Sequence, residues 1–285
     1  MREYVFTLGR NGETVVKEFE PYDDSIDYAT IIKNVAIGKG VILLCVTVTI
    51  VGAAVGAPAI CMIFAYAADT AIAAAESGAI FGAISAGITT YNQNGDFDAS
   101  LRSALVGASD GYKWGAISGA IVGGGTETAW LKIATRNGLT LNEAAIIQVA
   151  APELPLSVIR NLHSVDEYAI YQTAGLSLEK LSTGKYAMVR NINWSFVDEQ
   201  GRTNAVRVAK YHLSPLDENG VAYELHHIGQ QPNSPLAILT KAEHMQGGNN
   251  KILHWRDDSC VSHGTEWQDQ VHQFWMTLLN ASGGV

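Results

Sequence analysis

From Val41 to Ala68 the chain carries no charged residue. A run of that length reaches the roughly 20 consecutive apolar residues that a membrane-spanning helix needs. Pro58 interrupts it, and Gly52 and Gly56 stand four apart. Beyond Asp69, two further helical patterns place small residues every fourth position. One is Ala74, Gly78, Gly82 and Ala86; the other is Gly107, Gly111, Gly115, Gly119 and Gly123. Small residues at that spacing form a smooth stripe along which two helices approach closely, as paired membrane helices do. Glycine inside a soluble helix costs about 1 kcal/mol relative to alanine, so five in register need a compensating contact. The words Gly82-Ala-Ile-Ser85 and Gly115-Ala-Ile-Ser118 repeat each other, which points to a duplicated helical hairpin. Residues 41–125 therefore read as a membrane-active or membrane-crossing region with transient membrane association. The opposing reading is a soluble, tightly packed Ala/Gly bundle.

The flanking segments differ in kind. Tyr4-Val-Phe-Thr-Leu and Thr14-Val-Val-Lys-Glu-Phe surround Arg10-Asn11-Gly12, and Asn-Gly is a strong hairpin signal. This gives an N-terminal hairpin segment, residues 1–36, and a Gly/Ala-rich helical region, 37–150. Gly138-Leu-Thr-Leu-Asn-Glu reads as a turn and helix start, and Pro152 and Pro155 punctuate the connector. From 151 to 285 the composition is that of an ordinary domain. A helix is expected over Ser157–Ala174 and strands over Tyr186–Arg190, Val221–Ile228 and Pro235–Thr240. A short helix opens at Lys241, and a last one runs Glu266–Asn280 with Trp267, Val271, Phe274, Trp275 and Leu278 on one face. The expected fold class is α+β, a Gly/Ala-rich helical N-terminal region followed by a ββα-metal domain.

Charge narrows the functions available. A net charge of −9 with only 16% charged residues argues against coating nucleic acid by bulk electrostatics. A nuclease remains open, because a bound divalent cation changes the local field. Cys45, Cys61 and Cys260 form no CxxC pair, so a reducing compartment is the default. No secretory signal is read at the N-terminus.

All eight histidines lie at or after position 163, and five fall between 226 and 263. Neighbours on a strand point to opposite faces, so His226 and His227 do not share one ion. One can face a metal while the other faces substrate. The returning strand and short helix bring His244 back toward the strand end, and His254 can close the coordination sphere. Three neutral imidazoles leave an open position for phosphate or water. Phosphodiester hydrolysis also needs a base near neutral pH, which the fourth imidazole supplies. The competing reading is a structural zinc site completed by Cys260 or His263.

Several words match a known pattern in order. Tyr223-Glu-Leu-His-His-Ile-Gly-Gln, Ser234-Pro-Leu-Ala-Ile-Leu-Thr, Glu243-His244, Gly248-Asn249-Asn250 and Leu253-His254 resemble the LHH family of the HNH/endonuclease VII superfamily. The similarity extends upstream through Gly201-Arg-Thr-Asn204 and Pro215 to Gly220, and downstream to Phe274-Trp275. These are C-terminal toxin domains of bacterial polymorphic toxins. The resemblance implies a metal-dependent DNA endonuclease with His226, His244 and His254 as ligands of a divalent ion (Zn, Mg, Mn or Ni). His227 takes the role of general base. It also implies a cognate immunity protein, delivery from the producer by a specialised system, and action in the cytoplasm of the target cell. The superfamily's usual asparagine before the second strand has no clear equal; Asn233 and Ser234 are nearest. The gap from His244 to His254 is longer than in ordinary HNH helices.

Arg202, Lys241 and Lys251 flank these motifs and are expected at phosphates. Glu224 is either a partner of the cluster or a surface carboxylate. His163, His212 and His272 are expected to be structural, and Trp255 and Trp267 to pack the small core. A second function from another class also follows from the sequence: a membrane-perturbing effector whose histidine domain is a structural metal module.

Overall fold

The computed structural model describes residues 4–8, 14–18, 26–256 and 264–283. The chain divides into two compact units, one of residues 1–42 and 71–119, the other of 43–70 and 120–285. In the first, β1 (Tyr4–Leu8) and β2 (Thr14–Glu18) pair antiparallel with Tyr4 opposite Glu18, the hairpin expected from the sequence. Its Asn-Gly turn lies outside the described residues.

Three long helices run through both units: α1 (Tyr28–Ala54), α2 (Pro58–Asn94) and α3 (Phe97–Ala134). Gly56 takes a left-handed φ of 69° beyond the end of α1. Pro58 then opens α2, where its missing N–H is harmless. The small-residue stripes meet in antiparallel register within the first unit. A Cβ on Gly82 would lie 2.1 Å from the Gly107 carbonyl oxygen, one on Gly111 2.0 Å from that of Gly78, and one on Gly115 2.1 Å from that of Ala74. Backbone meets backbone at all three levels, which is what the glycines are for. The repeated words at Gly82 and Gly115 are therefore the two arms of one hairpin, not two copies of a hairpin. Beside this seam Asn34 and Ser109 are buried, and the Asn34 amide donates to Ser109 Oγ at 3.1 Å. Lys113 donates to the Asn34 oxygen at 3.0 Å.

α1 and α2 are long and apolar enough to cross a membrane. Both also expose large side chains: Leu43 at 66%, Ile50 at 64%, Ile80 at 61% and Phe81 at 73%.

In the second unit a four-stranded sheet carries the order β3-β4-β6-β5. Its strands are β3 (Ser177–Lys180), β4 (Tyr186–Val189), β5 (Glu224–His227) and β6 (Leu236–Leu239). β6 runs parallel to β4 and antiparallel to β5, with His226 opposite Ala237. Alternation sorts the sheet into two layers. Met188, Ala237 and Leu239 pack with Ile147 of α4 (Leu141–Ala150), Ile159 of α5 (Leu156–Ile159) and Tyr171 of α6 (Val165–Thr173). Ala187, Val189, Leu236 and Ile238 pack with Val208 of α7 (Asn204–Tyr211) and with Phe274, Trp275 and Leu279 of α10 (Thr265–Ala281). Two short helices, α8 (Lys241–Met245) and α9 (Asn249–Leu253), follow β6. The arrangement is the expected α+β class.

The first layer also takes in Ala59, Leu131, Ala134, Leu139 and Ala144, so one core draws on residues from both sides of position 150. The single helix expected over Ser157–Ala174 is two. Ser164 caps α6 by accepting from the Glu167 N–H at 3.1 Å, and an N-cap takes extended backbone that ends any helix before it.

The glycine seam makes opposite predictions for two helical glycines. Gly111→Ala drives a methyl into the Gly78 carbonyl and should lower the melting temperature seen by circular dichroism. Gly40→Ala, with nothing within 4 Å of the new Cβ, should raise helix stability by about 1 kcal/mol. Equal effects at the two positions would remove the close-packing explanation.

Candidate metal centre

Leu225-His226-His227 occupies β5, the last strand in the sheet order. Its alternation sends His226 toward the layer of Tyr171, whose ring centroid is 6.5 Å away. His227 faces the other layer, 4.8 Å from the ring of Trp267. Both imidazoles are buried. The two adjacent histidines diverge, as strand geometry requires.

His244 on α8 and His254 just beyond α9 close on the His226 side. The three ligand atoms lie within 4.8 Å of one another. His244 Nε2 is 3.2 Å from His226 Nδ1. A metal with bonds of about 2.0–2.1 Å at tetrahedral angles holds its nitrogens roughly 3.3 Å apart, so this spacing is already that of two co-ligands.

Each outer nitrogen has a partner that fixes its ring. His244 Nδ1 donates to Glu224 Oε2 at 2.7 Å. His254 Nδ1 donates to Asn250 Oδ1 at 2.8 Å. Both rings therefore present Nε2 as an acceptor. With His244 Nε2 accepting, the neutral tautomers leave His226 to donate through Nδ1, and its buried Nε2 has no hydrogen-bond partner. The nitrogen that faces His244 Nε2 is Nδ1, so a cation among the three rings would take the Nδ1 lone pair of the other neutral tautomer, with the ring proton on Nε2. Burial, followed by the neighbouring His244 and His254, holds the His226 pKa well below the ordinary imidazole value. His226 is thus neutral at physiological pH, the state a metal ligand needs.

α8 is itself held in place. Thr240 and Glu243 form a reciprocal capping box at its start. Arg190 grips Glu243 with both ends of its fork, at 2.9 and 3.0 Å. Asn249 donates to the Glu243 carbonyl oxygen at 2.7 Å, joining α9 to α8. A cleft of about 560 Å³ opens beside the centre, lined by Glu224, His244, Asn250 and His254 together with Leu225 and Trp267.

The other expected residues sort as follows. Lys241 opens α8 and Lys251 lies midway along α9, both exposed. Arg202 instead binds Asp198 through Nε at 2.8 Å and lies 4.9 Å from the Tyr211 ring. With Arg207, it holds the Asp198 carboxyl well below the usual carboxylate range against the opposing effect of burial. Glu224 is a partner of the cluster, through His244 rather than His226. Cys260 and His263 lie outside the described residues. His163 is structural, as expected: its Nδ1 donates to Glu167 Oε2 at 2.8 Å. His212 and His272 stack at 3.8 Å. Trp267 packs against the second layer, but Trp255 is 39% exposed and stacks on His163 instead of entering the core. Sequence reasoning missed Glu167, Arg190 and Asn250 as organisers; only the Gly248-Asn249-Asn250 word hinted at the last.

Residues 203–280 match the model of the LHH family, a nuclease of the HNH/ENDO VII superfamily with conserved LHH. Leu225, His226 and His227 are that triplet here, and the matched region is a nuclease domain of this superfamily. No curated protein and no solved structure matches the chain.

The carboxylate behind His244 makes a graded prediction. Removing an outer-shell partner typically weakens metal affinity about 10–100-fold. Glu224→Gln should do so, and His244→Ala should weaken it further, with zinc titrated by calorimetry. Wild-type affinity in both variants would move the ligand role away from His244.

Proposed function

We propose that the C-terminal domain hydrolyses DNA phosphodiester bonds with one divalent ion held by His226, His244 and His254. The observation that carries this reading is the three-imidazole cluster, with two outer nitrogens committed to Glu224 and Asn250 and the cleft open beside it. Three imidazoles favour zinc or nickel over the oxygen-preferring magnesium. Bound there, the ion stabilises charge on the phosphate and on the leaving oxygen.

The chain's own residues divide the remaining work. Glu224 and Asn250 orient two ligands, and Arg190 fixes the helix that carries His244. His227 serves as the general base. It sits beside the ligand on the last strand of the sheet, buried behind the cleft. Its ring lies against Trp267, one wall of that cleft. Lys241 and Lys251 contact phosphates.

The apolar helices give the domain its setting. In α1 and α2, length, apolar composition and large exposed side chains support passage through a target membrane. We read the whole as a toxin of bacterial competition. A specialised system delivers it, it acts in the target cytoplasm, and an immunity protein neutralises it in the producer.

The two adjacent histidines should fail differently. His226→Ala should lose metal affinity and plasmid cleavage together. His227→Ala should keep its metal and bind DNA while cleavage falls about 10²–10⁴-fold. Purified His227→Ala that cut plasmid at near wild-type rate would overturn the base assignment.

A further inference from the structure

A second and larger cleft, of about 780 Å³, lies at the opposite end of β5–β6 in the same unit. Arg136, Arg160, Lys185 and Arg256 line it, and among the described residues no aspartate or glutamate does. That is the reverse of the chain as a whole, where 28 acidic residues outnumber 19 basic ones. Arg136 and Arg160 are also unlike three other arginines of this unit. Arg190 is locked to Glu243, and Arg202 and Arg207 are both held by Asp198. Arg136, Arg160 and Lys185 are exposed.

The cleft is built into the motif that carries the metal ligands. Arg256 follows His254 by two residues, and its backbone N–H donates to Gln230 Oε1 at 2.8 Å. Gln230 lies in the turn directly after His227. Trp255 stacks on His163 at 4.9 Å, and the Arg256 guanidinium lies 4.9 Å from the Trp255 ring centroid. Asn137 donates to the Gly229 carbonyl oxygen at 3.1 Å and accepts from the Gln231 amide at 2.8 Å, so the floor is tied to the same turn. Neutral amides of Asn233, Gln270 and Gln273 complete a wall of donors between the cations.

Four cations lining one cleft, set among amides and with no acidic side chain among the described lining residues, suit a chain of phosphates more than any single small anion. We infer that this cleft holds the phosphodiester backbone of DNA beyond the scissile bond, anchoring the strand that the metal centre cuts. The inference rests on the nuclease reading above. It explains how an acidic protein grips a polyanion: the affinity is concentrated in one groove instead of spread over the surface.

The test compares the full chain with an Arg160→Glu, Lys185→Glu variant and with a Lys33→Glu, Lys39→Glu control of equal net charge change. Binding of a fluorescein-labelled DNA duplex is followed by anisotropy in EDTA across a range of KCl concentrations, so that no cleavage interferes. Each lost phosphate contact removes about 0.9 from the slope of log K against log salt. The cleft variant should lose about 2 from that slope and at least tenfold in affinity, while the control keeps both. Zinc affinity, measured by calorimetry, should be the same in all three, which shows the domain folded; the milder Arg160→Gln, Lys185→Gln pair should fall between. Unchanged slope and affinity in the cleft variant, with wild type binding DNA, would overturn this inference and leave the nuclease reading intact. Wild type that bound no DNA would overturn it too. Metal-loaded wild type that failed to cut plasmid would instead sink the nuclease reading itself.

Discussion

Glu167 is fully buried, and a carboxylate in that position is tolerable only when donors surround it. Four do. Oε1 accepts from the Tyr171 hydroxyl and the Gly229 N–H, both at 2.7 Å. Oε2 accepts from the His163 N–H at 2.9 Å and from His163 Nδ1 at 2.8 Å. One side chain of α6 thereby fixes the turn that follows the paired histidines. Gly229 sits in that turn at φ 66°, and a Cβ there would lie 1.7 Å from the Asn161 carbonyl oxygen. The glycine of the His-His-Ile-Gly word is thus a packing requirement, not a ligand contact. Burial, reinforced by Glu167, pushes the Tyr171 hydroxyl well up, so it stays protonated and remains a donor.

With that turn pinned, the metal centre is a matter of bringing helices to a fixed strand. His226 cannot shift without moving Ile228 and Gly229, which are locked in the first layer. His244 arrives on a helix whose capping glutamate is gripped by Arg190, and His254 on one joined to it through Asn249. Each ligand comes from a different element, and each element has an anchor independent of any ion. The rings are therefore arranged in advance, and binding does not have to order the chain.

Charge is distributed to the same end. Where the second unit needs rigidity, arginine is neutralised by carboxylate, as at Asp198 beside α7 and at Glu243 on α8. Where the groove opens, Arg136, Arg160 and Lys185 stand among amides instead. The helical region carries almost no charge, and its backbones approach through glycine instead. The two halves solve packing by different means. One uses alternating side-chain layers on a sheet, the other a seam of peptide groups.

The sequence by itself determined the ingredients with local signatures. The uncharged run, the four-residue glycine spacing and the pairing of the first two strands each depend on neighbours within a turn or two, and each is found. The ordered words around Leu225-His226-His227 and His244 carried the family and the class of chemistry, because strand alternation alone forces adjacent histidines apart. Tertiary structure decided what no local pattern encodes. Glu167 reads as an ordinary helical glutamate until the turn 62 residues away reaches it. Arg190 has no partner near it in the sequence, and Glu243, 53 residues on, supplies one. Arg136, Arg160, Lys185 and Arg256 are scattered singly along the chain, and only the folding of four separate segments around one turn makes them a groove. Long-range electrostatic pairing depends on distance in space, and spacing in the sequence does not report it.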